Sequence, residues 1–337
     1  MYIRQSKHII FLQAAHTATD ERVLSHQART MQEAGHTVEI HGVDSFPNYQ
    51  PKDADVYIVD TPKALWKIRR TSAKIVYDIT EWYPSKKNLR KIRVGKVIKA
   101  LILVIANLWA GWRTNAFIFG EEDKSKPFRV LFPKKKHIYL PYYPDLAYIQ
   151  PMPTNDITKE CRMLYAGALT KEKGWERVKD TMENIARLMP QTKFQLDIIT
   201  QDHLVYSTKY ENLHICKLEF MPFEQFCKQI VQYDLFLDLR DMDFENTRCL
   251  PIKLFYYMAC GRPSIYSNLT AIHKGVTQIN TCACLVEGVE QATQAILQYI
   301  SNPALYKQHC QNALKWSKQQ YNWHSIKIRL TQLINEV

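Results

Sequence analysis

The sequence predicts an α/β architecture in which two doubly wound parallel-sheet domains follow one another. Short runs rich in Val, Ile, Phe and Tyr alternate with longer segments of helical period, the pattern of strands joined by crossover helices. A proline-rich stretch, from Pro141-Tyr142-Tyr143-Pro144 to Pro151 and Pro153, interrupts that alternation near the middle. With 337 residues, 46% of them hydrophobic, the chain has material for two cores of ordinary size. The expected division is a first domain over 1–144, a linker over 145–160, a second domain over 161–310 and a helical tail over 311–337.

In the first half, His8 to Leu12 reads as the first strand. Asp20 caps a helix whose apolar side is Val23, Leu24, Ala28, Met31 and Ala34, and Gly35 ends it. Strands follow at Thr37 to Gly42, Val56 to Val59, Lys74 to Tyr77, Asn115 to Phe119 and His137 to Leu140, with a helix over Lys63 to Arg70. In the second half, strands are expected at Cys161 to Tyr165, Phe194 to Ile199, Leu213 to Ile215 and Asp234 to Leu239. Helices are expected at Trp175 to Met189 and Pro222 to Ile230. The stretch Leu250 to Asn268 gives a loop, a helix over Ile252 to Cys260 entered through Pro251, a turn at Gly261 and a buried strand from Ser264 to Ser267. Pro251 suits a first helical turn because its missing N–H would be unpaired there. The free N–H groups after it, with Lys253, prefigure an anion site; an ordinary buried helix is the plainer alternative.

Net charge is +12 and concentrated. From Lys63 to Lys136 there are 19 Lys and Arg against 5 Asp and Glu. Such a one-sided surplus calls for a polyanion or an anionic membrane as neighbour. Within it, residues 86–112 pair a basic start with thirteen uncharged residues, Ala100 to Trp112, too few to span a bilayer. Val97, Ile98, Leu101, Ile102, Ile105, Leu108, Trp109 and Trp112 fall on one helical side, which suits an anionic membrane surface or, alternatively, packing inside a domain. Nucleic acid is not expected as a partner, since no recognised binding motif accompanies the charge. The eight cysteines are scattered and read as reduced thiols. Met1 to Lys7 is polar and leads into a strand, so no signal peptide is expected and the location is cytoplasmic, peripheral on the inner face of the membrane.

The Leu250 to Asn268 stretch resembles the nucleotide-sugar signature of GT-B glycosyltransferases, in particular the retaining family 4-like group, which reads P-x-K-[LF]-[FL]-E-Y-M-A-x-G-x-P. Pro251, Lys253, Leu254, Phe255, Tyr257, Met258, Ala259, Gly261 and Pro263 match. Tyr256 stands at the family's ribose-binding Glu, and Arg248 at the Glu eight residues earlier. Three further stretches are similar. Asp20-Glu21-Arg22-Val23 followed by Ala34-Gly35-His36-Thr37-Val38 resembles the family opening. Val76 to Pro84 resembles V-Y-D-x-H-E-x-x-P, with Asp78 and Glu81 matched and Thr80 at the His position. Gly167 to Gly174 resembles the diphosphate loop G-R-L-x-x-x-K-G, with Lys173 and Gly174 matched and Ala168 at the Arg position.

The resemblance implies a GT-B fold with an interdomain cleft. It implies transfer of a sugar, with retained configuration, from a nucleotide-sugar to a hydroxyl of a glycan or lipid-linked glycan in cell-surface polysaccharide assembly. By it, Gly167, Lys173, Gly174, Arg248, Pro251, Lys253, Leu254 and Tyr256 bind the donor in the second domain. Asp78, Thr80 and Glu81 are catalytic, and His16, Asp20 and Arg22 lie on the acceptor side of the first domain. No metal or other cofactor is implied: Asp241-Met242-Asp243 has the letters of a metal motif but reads as a solvated turn. A nucleotide-sugar epimerase of the same fold and a non-catalytic member are the alternatives.

Overall fold

The computed structural model describes residues 6–81, 84, 85, 89 and 95–337. The chain divides into two compact units: Met1–Tyr142 with Trp323–Val337, and Tyr143–Asn322.

The first unit is built on a six-stranded parallel sheet of β1 (His8–Leu12), β2 (Thr37–His41), β3 (Val56–Val59), β4 (Lys74–Ile79), β5 (Ala116–Phe119) and β6 (Lys136–Tyr139). The spatial order is β2-β1-β3-β4-β5-β6, so the winding reverses between β1 and β3. Ile9 to Leu12 and Val56 to Val59 are fully buried, as unbroken apolar strands covered on both faces must be. The helix expected from Asp20 begins as a π-turn segment, Arg22–Ala28, and becomes regular in α1 (Arg29–Glu33). Thr61 caps α2 (Pro62–Lys67), its hydroxyl accepting from Ala64 N at 3.1 Å.

Helix α3 spans Lys96–Arg113. It buries Asn107, Ala110 and Gly111, with Trp109 partly covered and edge-on to Trp66 at 5.2 Å. Val97, Ile98, Leu101, Ile102, Ile105, Leu108 and Trp112, expected on its apolar side, are exposed, Val97 at 73% and Trp112 at 70%. The basic residues 86, 87, 90, 91 and 93 lie outside the described residues. Helix α4 (Glu122–Leu131) lies between β5 and β6. Among the described residues no helix is long and apolar enough to cross a membrane.

The second unit carries another six-stranded parallel sheet: β7 (Glu160–Ala166), β8 (Lys193–Ile199), β9 (Leu213–Leu218), β10 (Leu235–Asp238), β11 (Ser264–Ser267) and β12 (Ala283–Val286). Its order, β12-β11-β10-β7-β8-β9, reverses between β10 and β7. The helices are α5 (Trp175–Leu188), α6 (Phe223–Ile230), α7 (Ile252–Ala259), α8 (Thr270–Gly275), α9 (Val289–Ser301) and α10 (Pro303–Gln319). α7 is apolar on nearly every side and buries Leu254 to Ala259, Tyr257 stacking on Phe236 of β10 at 3.9 Å.

The stretch 145–160, expected as a linker, is part of this unit. Buried Arg262 donates to the carbonyls of Met152 (3.0 Å) and Pro153 (2.7 Å), and Asn155 donates to Asp234 at 3.0 Å. α10 also belongs here, while α11 (Trp323–Glu336) belongs to the first unit. There Trp323 packs on the His26 ring at 4.9 Å and donates to Thr30 Oγ1 at 3.0 Å. All eight cysteines are free; five are buried, and Cys216 is exposed.

Candidate functional site

In a doubly wound sheet, ligands bind beyond the carboxyl ends of the strands where the winding reverses. Each unit presents ionisable side chains at that place.

In the second unit the reversal lies between β7 and β10. β7 ends at Ala166, and the Gly167–Gly174 loop follows. Tyr165 holds that loop, its hydroxyl donating to the carbonyls of Ala168 (2.7 Å) and Lys173 (3.2 Å). Gly174 has φ +82° and lies against the end of β10; a Cβ there would meet the Leu239 carbonyl oxygen at 2.0 Å. Only glycine combines that backbone with that approach. Lys173, which precedes it, is half exposed and pairs with Glu172 at 3.1 Å.

β10 ends at Asp238, and Leu239 and Arg240 follow it. Arg240 forks onto Asp238, Nε to Oδ1 at 2.7 Å and Nη2 to Oδ2, with both side chains largely buried. Two of its five N–H groups are used in this way. Lys253, in the first turn of α7, donates to the Ala166 carbonyl and stands 3.8 Å from Asp238 Oδ2. A Cβ on Gly167 would sit 3.6 Å from Lys253 Nζ, so the bare glycine leaves that space beside the amine.

Burial pushes the Lys253 amine down to about 8; Asp238 opposes the shift, and the Arg240 and Lys173 charges add to it. Burial also works against the Asp238 carboxylate, but Arg240, Lys253 and Lys173 outweigh it and hold the group below its ordinary value. Three cations therefore gather around one buried carboxylate, an arrangement suited to an anion.

The other expected donor-side residues make contacts of their own. Arg248 lies over the Phe244 ring at 3.8 Å and donates to the Phe244 carbonyl. Tyr256 is buried edge-on against Phe223 (6.0 Å) and Phe226 (6.3 Å). Pro251 and Leu254 are buried parts of the α7 entry. Asp241 accepts from Arg177 at 2.8 Å, and Asp243 accepts from the backbone N–H groups of Glu245 and Asn246. Among the described residues no cluster of His, Cys, Asp and Glu is placed to hold a metal ion.

In the first unit the reversal lies between β1 and β3. The loop leaving β1 is pinned along β2: Gln13 N donates to the His41 carbonyl and Val43 N to the His16 carbonyl, each at 2.8 Å. Gly42 makes room for it, since a Cβ there would meet Ala18 N at 2.1 Å. Asp60, just past β3 and wholly buried, accepts from Ala14 N (2.8 Å), Ala15 N (2.9 Å) and His16 Nδ1 (3.0 Å). The Asp60 hydrogen bond raises the His16 imidazole above its ordinary value. Partial burial opposes this, and the charges of Asp60, Asp20 and Asp78 add to it.

Arg22 and Asp78, expected on the acceptor side and in catalysis, meet in one buried pair. Arg22 Nη2 lies 2.6 Å from Asp78 Oδ1, Gln27 donates to Asp78 Oδ2 at 2.8 Å, and the guanidinium lies 3.7 Å from the Tyr142 ring centre. Burial pushes the Asp78 carboxyl up, against Arg22 and Gln27. At 4% exposure Asp78 holds Arg22 in place instead of facing solvent. Asp20 accepts from Arg22 N at 3.1 Å as a cap, the Thr80 hydroxyl is buried, and Glu81 lies half-buried past β4.

Arg240 and Asp60 escaped the sequence reading. Each follows a short apolar strand at its carboxyl end, the one signal that marks them.

No family model matches the chain, and no curated protein matches it in sequence. Solved structures match along nearly its whole length. Sucrose-phosphate synthase from Thermosynechococcus elongatus has a TM-score of 0.69 at 13% identity, covering 98% of both chains. Alr3699/HepE of Anabaena, in complex with UDP-glucose, gives 0.66 at 14%, covering 98% of this chain and all of that one. An α-glucosyltransferase in complex with UDP-glucose and DNA containing an abasic site gives 0.64 at 13%, covering 99% and 100%. The chain has the GT-B fold. The last of these structures, and a second complex of an α-glucosyltransferase with a 13-mer DNA, overturn the exclusion of nucleic acid. A GT-B fold occurs on DNA, so the lack of a recognised motif excludes nothing for a chain of net charge +12.

Proposed function

We propose that the protein is a glycosyltransferase that moves a sugar from a nucleoside-diphosphate sugar to a hydroxyl. The observation that carries this reading is the gathering of Lys173, Arg240 and Lys253 at the winding reversal of the second unit. A leaving diphosphate develops negative charge as its bond to the sugar breaks, and preorganised cations stabilise that charge without needing to reorient. Arg240 supplies the guanidinium that the sequence lacks at Ala168. Similar folds hold UDP-glucose, which makes UDP-sugars the first donors to try. Thermal stabilisation by UDP-, GDP- and ADP-sugars, followed by nucleoside-diphosphate release, tests the reading. A bound sugar nucleotide with no release would instead mark a non-catalytic member, and a changed but unreleased sugar an epimerase.

The acceptor side belongs to an anionic lipid surface in this proposal, where a lipid-linked glycan of a cell-surface polysaccharide would be met. The exposed aliphatic face of α3 is flanked by Lys96, Lys99 and Arg113, a combination that suits a lipid headgroup interface. Co-sedimentation with anionic vesicles, set against binding of a DNA duplex, decides between the two surfaces. Retention on DNA alone would assign the basic region to nucleic acid.

A further inference from the structure

We propose that the first unit carries a second anion site, a pocket for a phosphate ester between the β6 edge and α11. It stands apart from the glycosyltransferase reading and uses no residue of either winding reversal. β6 is an edge strand of its sheet, separated from the reversal by β4 and β5. α11 lies along that edge, with Arg329 donating to the Tyr139 carbonyl at 3.0 Å. Between helix and strand is an open cavity of about 400 Å³, lined by the Lys134–Lys136 run, Arg329 and Glu336.

Charge decides what this cavity can hold. Four cations line it against one carboxylate. The Lys135 amine is spent, since it donates to the Trp112 and Thr114 carbonyls at the end of α3; three cations remain. Lys134 is exposed and makes no ion pair among the described residues. Lys136 pairs with Glu336 at 3.1 Å, but with side chains 51% and 56% exposed the pair is weak. Lys136 also donates to the Glu336 carbonyl at 3.3 Å, which leaves its third N–H for a ligand. Arg329 gives one of its five N–H groups to Tyr139 and is otherwise exposed.

The carbonyl end of α11 would repel an anion if it were bare. Lysines cover it: Lys7 donates to the Ile334 carbonyl at 2.5 Å, and Lys136 reaches Glu336. Charge-assisted hydrogen bonds from an ammonium and a guanidinium suit phosphate oxygens. The volume is that of a small-molecule site and larger than a bare phosphate needs. Ile138 and Leu333 also line the cavity and offer carbon to the organic part of an ester. Through Lys135 the pocket adjoins the end of α3, where Trp112 is exposed. A lipid headgroup and a soluble phosphate ester present the same chemistry here.

The test uses the full chain and two probes, glycerol 3-phosphate by titration calorimetry and phosphatidylcholine vesicles with or without phosphatidic acid by co-sedimentation. Wild type is compared with K134A/K136A, E336Q and K63A/R70A, the last removing equal charge elsewhere in the unit. K134A/K136A should melt as wild type does, since both side chains are exposed, and should bind at least about tenfold more weakly. E336Q frees Lys136 and should bind about threefold more tightly. Weakening on phosphatidic acid vesicles assigns the pocket to a lipid headgroup. Weakening on glycerol 3-phosphate alone, with vesicles held as before, assigns it to a soluble ester. A folded K134A/K136A within twofold of wild type on both probes overturns the proposal. So does an equal loss in K63A/R70A, which would mean diffuse attraction without a pocket.

Discussion

If the proposed donor site is right, the Lys253 amine should make donor affinity depend on pH in a way that can be worked out in advance. In the free protein burial holds it at about 8. At pH 7 roughly nine in ten molecules carry the charge, and at pH 9 roughly one in ten. A bound diphosphate places two negative groups beside it and pulls the amine back towards its ordinary value, so the complex is protonated at both pH values. UDP itself is about nine-tenths or more ionised across this range, since its last phosphate proton leaves near pH 6. Binding at pH 9 must therefore take up about one proton, and affinity should fall about tenfold, ~1.4 kcal/mol, between pH 7 and 9. Titration calorimetry of UDP in two buffers of different ionisation heat reads both the slope and the proton. K253M should flatten the slope and weaken binding at pH 7 by ~1.5–3 kcal/mol, the range for hydrogen bonds to charged groups. A flat wild-type profile, or an unchanged slope in K253M, would refute the placement of the diphosphate at this amine.

Three further outcomes are expected. G174A forces a Cβ onto the Leu239 carbonyl and a left-handed backbone on alanine, ~1–2 kcal/mol for the backbone alone, so the melting temperature should drop and UDP affinity with it; unchanged binding would detach the Lys173 loop from the donor. R240M strands a buried Asp238 and should cost ~3–5 kcal/mol in urea unfolding, largely restored in the D238N/R240M double variant; single and double variants of equal stability would dissolve the pair. Replacing Ile98, Ile105 and Trp112 with Ser should abolish the salt-resistant part of binding to anionic vesicles while leaving melting unchanged, because these side chains are already exposed; a large fall in melting temperature would mean that the helix face is packed.

Much of the fold was legible because period and burial agree. Strands such as Val56–Val59 and Ser264–Ser267 are unbroken runs, and each is fully buried. The end of the second unit was not read. β12 (Ala283–Val286) is only partly buried and its sequence, Ala-Cys-Leu-Val, carries weak strand preference. α9 and α10 follow it as amphipathic helices. The π-turn opening of α1 left no trace in the pattern, because the same apolar residues serve either winding. The eight exposed or half-exposed apolar positions of α3 gave the opposite problem: periodicity locates an apolar face but says nothing about what covers it.

The candidate sites divide along the same line. Motif resemblance reached Lys173, Gly174 and Lys253 because they share short windows with recognisable neighbours. It gave Arg22 and Asp78 separate tasks, although they lie 2.6 Å apart in one buried pair. It missed Arg240 and Asp60 because each takes its meaning from a residue far along the chain: Arg240 from Lys253 and the Gly167 loop, Asp60 from His16. What joins them is the reversal of strand order, between β1 and β3 in one sheet and between β10 and β7 in the other. A reading that first placed the strands in order, and then asked which charged residues follow the two strands at each reversal, would have found both. On the proposed reading, the guanidinium of Arg240 enters the diphosphate site from the end of β10, where the loop after β7 carries Ala168. Topology fixes where charge is useful, and more than one strand end can deliver it.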